Sequence, residues 1–247
     1  MKAYLTIFWT EMKLIFRNFM VVFFSVIFPP CMVLLFGYMY GNQPIPEWGG
    51  YGMVDISFGA YVGMSICVTG LMSLPLTLAQ YRQKKVLKQF RATPASAGSL
   101  LASQVVMHFI FTVLSVFLLY LVARIIFGYA MAGSFWVFAL AVLLTCLCIF
   151  AIGMLIASIA PNERVATVIC YFVYFPMLFL SGATMPYEMF PAGMQRFVNV
   201  LPLTHGIKLM KGISLGGQLS SYGTEMAVLV GVALVCVVLS AVFFKWE

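Results

Sequence analysis

Six long apolar runs separated by short polar stretches organise this chain, at roughly 19–40, 56–79, 101–126, 134–159, 166–183 and 225–244. Each approaches the ~20 residues an α-helix needs to cross a bilayer core. The runs are continuous, which excludes the roughly ten-residue alternating segments of an outer-membrane barrel. The predicted class is therefore an all-α membrane protein with six transmembrane helices. The first run is too long for the apolar part of a signal peptide, and no small-x-small cleavage site follows Gly41 closely, so it is read as a span. The fifth is the shortest, because apolar character continues irregularly towards residue 215.

The stretches between the runs predict smaller elements. Residues 2–18 set Leu5, Phe8, Trp9, Met12, Ile15 and Phe16 on one helical face, with Glu11, Lys13 and Arg17 off it. That is the pattern of an N-terminal interfacial helix anchored by Trp9 at headgroup level. Pro29-Pro30, near the middle of the first run, predict a kink or partial unwinding, since proline removes a donor and clashes with the preceding turn. In lipid such a break needs cover from protein or a cavity. Residues 41–54 read as a Gly/Pro-rich turn carrying Trp48 and Tyr51 as interfacial aromatics, and Asn162 is placed to cap the fifth helix. Residues 184–224 are too polar to span and too apolar for a plain loop. Between Pro191 and Pro202, Met194, Phe197, Val198 and Leu201 follow helical spacing, which predicts one short helix. A second is expected around 204–214, both dipping partly into the bilayer. Residues 81–91 read as a further short helix that stops before Pro94.

Charge orients the chain. Five of its fourteen Lys and Arg, namely Arg82, Lys84, Lys85, Lys88 and Arg91, crowd residues 80–99. Placing that loop in the cytoplasm puts both termini there, together with Lys2, Lys13, Arg17, Arg164 and Lys245. Outside fall Arg124, Arg196, Lys208 and Lys211, a split of ten to four in favour of this topology. With 63% hydrophobic and 9% charged residues, the composition leaves no room for a soluble basic domain, so the net charge of +7 is a topology signal and no nucleic-acid partner is implied.

Candidate chemistry is sparse. All six cysteines fall in apolar runs, where thiols behave as small hydrophobes, and neither a disulfide framework nor a metal site is indicated. His108 is the one ionisable group deep inside a span, and it reads as an interhelical hydrogen-bonder. Asp55, Arg124 and Glu225 lie at span edges, so ion coupling within the chain has little support. No GxxxxGK[ST] pattern occurs, which excludes nucleotide binding by that route. Ser181 and His205 come nearest to an intramembrane nucleophile and base, with no third group in view. What remains is a bundle without its own energy source and with a basic, helix-prone inner loop. Such a loop either receives a push from a soluble motor or serves orientation and anionic-lipid contact alone, and charge does not separate the two.

At this point the chain resembles a type-2 ABC transporter permease, the membrane half of bacterial exporters. The resemblance rests on the order of four segments: the interfacial helix at 2–18, a Pro-containing first span ending LLFGYMYG (34–41), YRQKKVLKQFRATPASAGSLLASQ (81–104) and LSGATMPYEMFPAGMQRFVNVLPLTHGIKLMKG (180–212). One departure is plain: many members carry acidic residues before the Thr-Pro element, where this chain has Gln83, Lys84, Lys85 and Gln89. The resemblance implies one transmembrane domain over 1–247, paired with a second permease and clasped by two cytoplasmic ABC ATPase subunits. ATP and Mg would sit on those ATPases, and the permease itself would hold no cofactor and do no bond chemistry. The interfacial helix and the 80–99 loop would dock the ATPase, through Arg82, Lys84, Lys85, Lys88, Arg91 and Pro94. Cargo would pass near the first, second and fifth spans, along Phe28, Pro29, Met32, Tyr171, Tyr174, Phe175 and Met177, of which Tyr171, Tyr174 and Phe175 share a face.

The expected function is export of a small hydrophobic or amphipathic compound, such as a drug or antibiotic, across the cytoplasmic membrane. A polysaccharide or lipid-linked glycan is the alternative cargo. A stand-alone ion-coupled carrier and a sensor or immunity scaffold are the readings from other classes.

Overall fold

The structure is a computed structural model that describes residues 9–10, 12–13, 16, 19–45, 49–85, 97–184, 187 and 190–243. Helix α1 runs through Phe19–Val22, a π-helical turn Phe23–Ile27 and Phe28–Tyr40. Helix α2 repeats that plan, with Met53–Cys67, a π turn Val68–Ser73 and Leu74–Gln83. There follow α3 (Ala97–Phe127), α4 (Phe135–Ile159), α5 (Glu163–Leu180), the short α6 (Ala192–Val198) and α7 (Pro202–Ser214), then a 3-10 turn Leu219–Tyr222 leading into α8 (Gly223–Phe243). Among the described residues there is no strand, and six helices (α1 to α5 and α8) are long and apolar enough to cross a membrane. The chain is an all-α, multi-pass membrane protein. The two short helices expected between the fifth and sixth spans are α6 and α7.

The bundle is built around α2, 83% of whose span window is buried, against 17% for α8. Helix α2 packs on α1, α3, α4, α5 and α7. Lipid tails are as apolar as the side chains, so helices associate by close packing, which favours small residues at contacts. Gly70 of α2 and Gly153 of α4 meet in this way: a Cβ on Gly153 would collide with the Gly70 carbonyl oxygen. Helix α7 sinks between α2 and α4 by the same device. A Cβ on Gly59 would lie 2.7 Å from the Lys211 amide nitrogen, and one on Gly206 would strike Thr145. Leu203, His205, Leu209, Met210 and Ile213 of α7 are buried accordingly.

The expected break at Pro29-Pro30 takes a different form. Helix α1 stays continuous, and the irregularity is the π turn that directly precedes the prolines. A proline leaves an upstream carbonyl without its donor and presses its ring on that turn, and the wider π turn makes room for both. Both prolines are buried, so protein covers the irregularity. Helix α2 uses the same arrangement, with its π turn ahead of Pro75, and the two π turns pack on each other.

Two boundaries differ from expectation. Residues 81–83 belong to the end of α2 rather than to a separate helix, and the chain turns at Lys84 and Lys85, the latter at φ 55°. The remainder of the expected 81–91 helix, with Lys88, Arg91 and Pro94, lies outside the described residues. So does most of the expected interfacial helix, of which Trp9, Thr10, Met12, Lys13 and Phe16 are described. The Phe16 ring meets Phe111 of α3 edge-on, with centroids 5.3 Å apart.

Helix α2 begins earlier than its apolar run because polar groups organise its first turn. Asn42 Oδ1 accepts from the Val54 and Asp55 amides at 3.0 and 3.3 Å, and its Nδ2 donates to Asp55 Oδ1 (3.3 Å) and to the Phe127 carbonyl (3.1 Å). Asp55 Oδ2 takes the Gly52 amide at 2.9 Å, closing the capping box. One side chain thus ties the end of α1 to the start of α2 and the end of α3. Asn42→Ala is expected to lower stability by about 2–3 kcal/mol, since it leaves several half-buried partners unsatisfied. A thermal shift in detergent no larger than that of an exposed control would refute this role.

Candidate functional site

The end of the bundle that carries the basic loop is built from polar side chains of α2 and the turn between α4 and α5. The last carbonyls of a helix have no intrahelical donor, and a cation there also complements the helix dipole. Arg82 fills that role for α4: its Nη1 donates to the Ala160 carbonyl at 2.8 Å and to that of Ser158 at 3.5 Å. Beside it Gln80 Nε2 donates to Glu163 Oε1 at 2.7 Å, and Gln83 Oε1 accepts the Glu163 amide at 3.2 Å. Asn162 caps α5 as expected, accepting from the Val165 amide at 2.9 Å. The five basic residues therefore divide. Arg82 is half-buried and bonded within the bundle, Lys84 and Lys85 are exposed, and Lys88 and Arg91 lie outside the described residues.

The seven candidate path residues lie on two helices that flank α2. On α1, Pro29 is buried, and Phe28 and Met32 are half-buried against the core. On α5 the expected shared face splits. Tyr174 and Met177 turn into the core at 9% and 6% exposure, whereas Tyr171 and Phe175 stand out at 44% and 46%. Tyr171, Phe175 and Phe179 form a ladder of near-parallel rings, with centroids 5.5 and 6.2 Å apart and both interplanar angles 14°. Phe179 was not singled out by sequence, although its i+4 and i+8 spacing from Tyr171 continues the stripe. Helices α1 and α5 each pack on α2 and share no packed seam with one another.

The deep polar groups serve the fold. His108 is fully buried, with Nε2 3.0 Å from Ser73 Oγ of α2 and Nδ1 2.8 Å from the Gln104 carbonyl. Since the carbonyl can only accept, the network assigns the proton to Nδ1, and the Ser73 hydroxyl donates to Nε2. That is the interhelical bond expected of it. Ser181 and His205 do not form a nucleophile–base pair: Ser181 Oγ is buried without a partner, and His205 Nε2 donates to the Asn199 carbonyl at 2.8 Å. In the linker after α3, Tyr129 is buried and stacked 4.3 Å from Phe58, and burial pushes its phenol above its ordinary range, so it keeps its proton. Among the described residues no cluster of His, Cys, Asp and Glu is placed to hold a metal ion, and all six cysteines are free.

The described polar groups are engaged in the seams and caps of a helical membrane bundle, and exposed cations stand at one end of its central helix. The chain belongs to the ABC-2 type transporter family, whose model it matches over residues 2–215. It is 32% identical over 108 residues to nodulation protein J of Rhizobium meliloti (strain 1021), a match covering 41% of this chain and 39% of that protein. The nodulation protein J of Rhizobium leguminosarum bv. viciae is 32% identical over 92 residues, 35% of this chain and 33% of its own length. Thus the chain aligns with well under half of either nodulation protein. A longer match is YvfS of Bacillus subtilis (strain 168), named as a transport permease, at 27% identity over 199 residues, 79% of this chain and 78% of that one. The family is one of transporters, in keeping with the six candidate spans.

Proposed function

We propose that residues 1–247 form one transmembrane domain of an exporter, paired with a second permease and driven by a separate cytoplasmic ATPase that holds ATP and Mg. The basic end faces the cytoplasm, with both termini on that side. One observation carries the mechanism: α2, the buried axis of the bundle, leads from its contact with α7 to the exposed Lys84 and Lys85. A displacement of the loop by ATPase closure passes along α2 to α7, because backbone-close glycine contacts do not absorb it. The docking surface comprises Lys84, Lys85, Lys88, Arg91 and Pro94, with Arg82 holding the loop's root in place.

The cargo is a small hydrophobic or amphipathic compound, passing between two permeases along the ring ladder of α5 and along Phe28 and Met32 of α1. Exposed, parallel rings offer flat apolar faces without charge. The same faces suit the sugar rings of a lipid-linked glycan. That second reading gains from relatives named for nodulation rather than for drug resistance.

The test is gentle-detergent purification of the tagged chain with its co-purifying proteins identified. It is repeated with Lys84, Lys85, Lys88 and Arg91 reversed to Glu and Arg82 retained. An ABC ATPase present with the wild-type chain and lost from a normally inserted variant is the expected result. An ATPase retained by the reversed variant would remove the loop from the docking surface. Stimulation of the complex's ATP hydrolysis by apolar drugs but not by lipid-linked oligosaccharide, blunted by Phe175→Ala, is expected for the first cargo. The opposite preference establishes the second.

A further inference from the structure

The surface between α3 and α4 holds an apolar groove that transport does not account for. Helices α3 and α4 are consecutive, yet each packs mainly on other helices: α3 on α1 and α2, and α4 on α2, α5, α7 and α8, with Leu101, Val105 and Phe109 of α3 joining the apolar cluster around Phe150 of α4. Two cavities lie between them, one above the other. The one nearer the basic end measures about 500 Å³ and is lined by Leu101 and Val105 of α3, Leu147, Phe150 and Met154 of α4, and the end of α8. The other measures about 250 Å³, and its walls are Phe109, Val113, Phe117 and Tyr120 of α3 with Phe135 and Leu143 of α4. On each helix the lining positions recur every three or four residues, so each presents one unbroken stripe to the gap.

The dimensions select the occupant. Leu101 to Tyr120 is about 28 Å of helix at 1.5 Å per residue, close to the ~30 Å of a hydrocarbon core. The smaller cavity, from Phe109 to Tyr120, is about 16 Å long, the depth of one leaflet. A void of that length and volume is one alkyl chain wide and far too narrow for a helix of ~10 Å diameter. It opens to the surrounding bilayer through exposed Val113, Phe117 and Phe135, and its walls offer almost no polar partner, so ordered water gains nothing there and an apolar chain does. Met131 lines the end away from the basic loop, where the Tyr129 ring is stacked on Phe58. One turn beyond Tyr120 on the same stripe stands exposed Arg124, with Nη1 bound to the Tyr129 carbonyl at 3.0 Å. A guanidinium has five N–H donors, and those beyond this bond are available at headgroup depth for a phosphate.

We propose that the α3–α4 groove is a phospholipid site. One acyl chain lies in the smaller cavity with its phosphate at Arg124, and the larger cavity takes a chain from the opposite leaflet. The bound lipid fills the groove between two spans whose main contacts are with other helices.

The test uses the full-length chain in vesicles containing a phospholipid with a photoactivatable group in its palmitoyl chain, with labelled peptides mapped after illumination. Labelling concentrated on 109–120 of α3 and 135–143 of α4, well above that of the exposed face of α8, is expected. Ala139→Phe, which fills the cavity, abolishes the labelling there, and Arg124→Gln lowers it about fivefold, as one basic residue at headgroup level would. Leu35→Phe, on the exposed side of α1, leaves it unchanged. Labelling spread evenly over all exposed helix faces would overturn the proposal, and that map needs no variant to fold. Undiminished labelling of folded Ala139→Phe would do the same. Cross-linking between two chains through Val113→Cys would assign the groove to a second copy instead.

Discussion

Gly153→Leu is expected to yield little folded protein, with the thermal midpoint of any that is recovered well below wild type. At this position a side chain would meet the Gly70 carbonyl, an atom of the α2 backbone within its π turn. A flexible side chain could swing aside, but here two helices must separate, and overpacking of that kind costs about 3 kcal/mol or more. The displacement would reach both faces of α4, which also supports α7 and α8. Gly231→Leu on α8 is the matched control, since nothing lies within 4 Å of its Cβ and the residue is exposed. Wild-type midpoints for both variants would mean that α2 and α4 do not touch at this point.

The second large effect separates Arg82 from its neighbours. Arg82→Met is expected to destabilise the bundle by about 1.5–3 kcal/mol, the range for charge-assisted bonds to buried carbonyls. Lys84→Met and Lys85→Met, both on exposed side chains, should stay within about 0.5 kcal/mol of wild type. In binding the order reverses: the two lysine variants weaken ATPase co-purification, and Arg82→Met affects it only in proportion to the folded fraction. Equal thermal midpoints for all three would show that the α4 terminus does not depend on Arg82. For this reason a charge-reversal experiment spanning all five cations would confuse unfolding with undocking.

The contrast marks what was legible in the sequence. The six spans were, because lipid imposes a length and an apolar content that few other segments meet. The Asn162 cap and the pair α6 and α7 were too, because capping residues, flanking prolines and a local period report on the chain's own neighbours. Arg82 was not. Its residue type declares a charge, while its role depends on the Ala160 carbonyl, seventy-eight positions away in sequence. The split of the α5 stripe has a similar origin. At about 100° per residue, Tyr174 and Phe175 point roughly 100° apart, with Tyr171 between them. The edge of the buried face falls inside that arc, and only the position of α2 decides where.

The π turn at Val68–Ser73 also sets the phase of α2. Such a turn accommodates one residue more than an α-helical turn, so the positions beyond it are rotated by about a quarter turn from where an unbroken helix would place them. The half of α2 that receives α7 and the half that brings Arg82 to the end of α4 are therefore set on independent dials. Deleting one residue from this turn would keep every contact type available and aim the last two turns of the helix, guanidinium included, at the wrong neighbour.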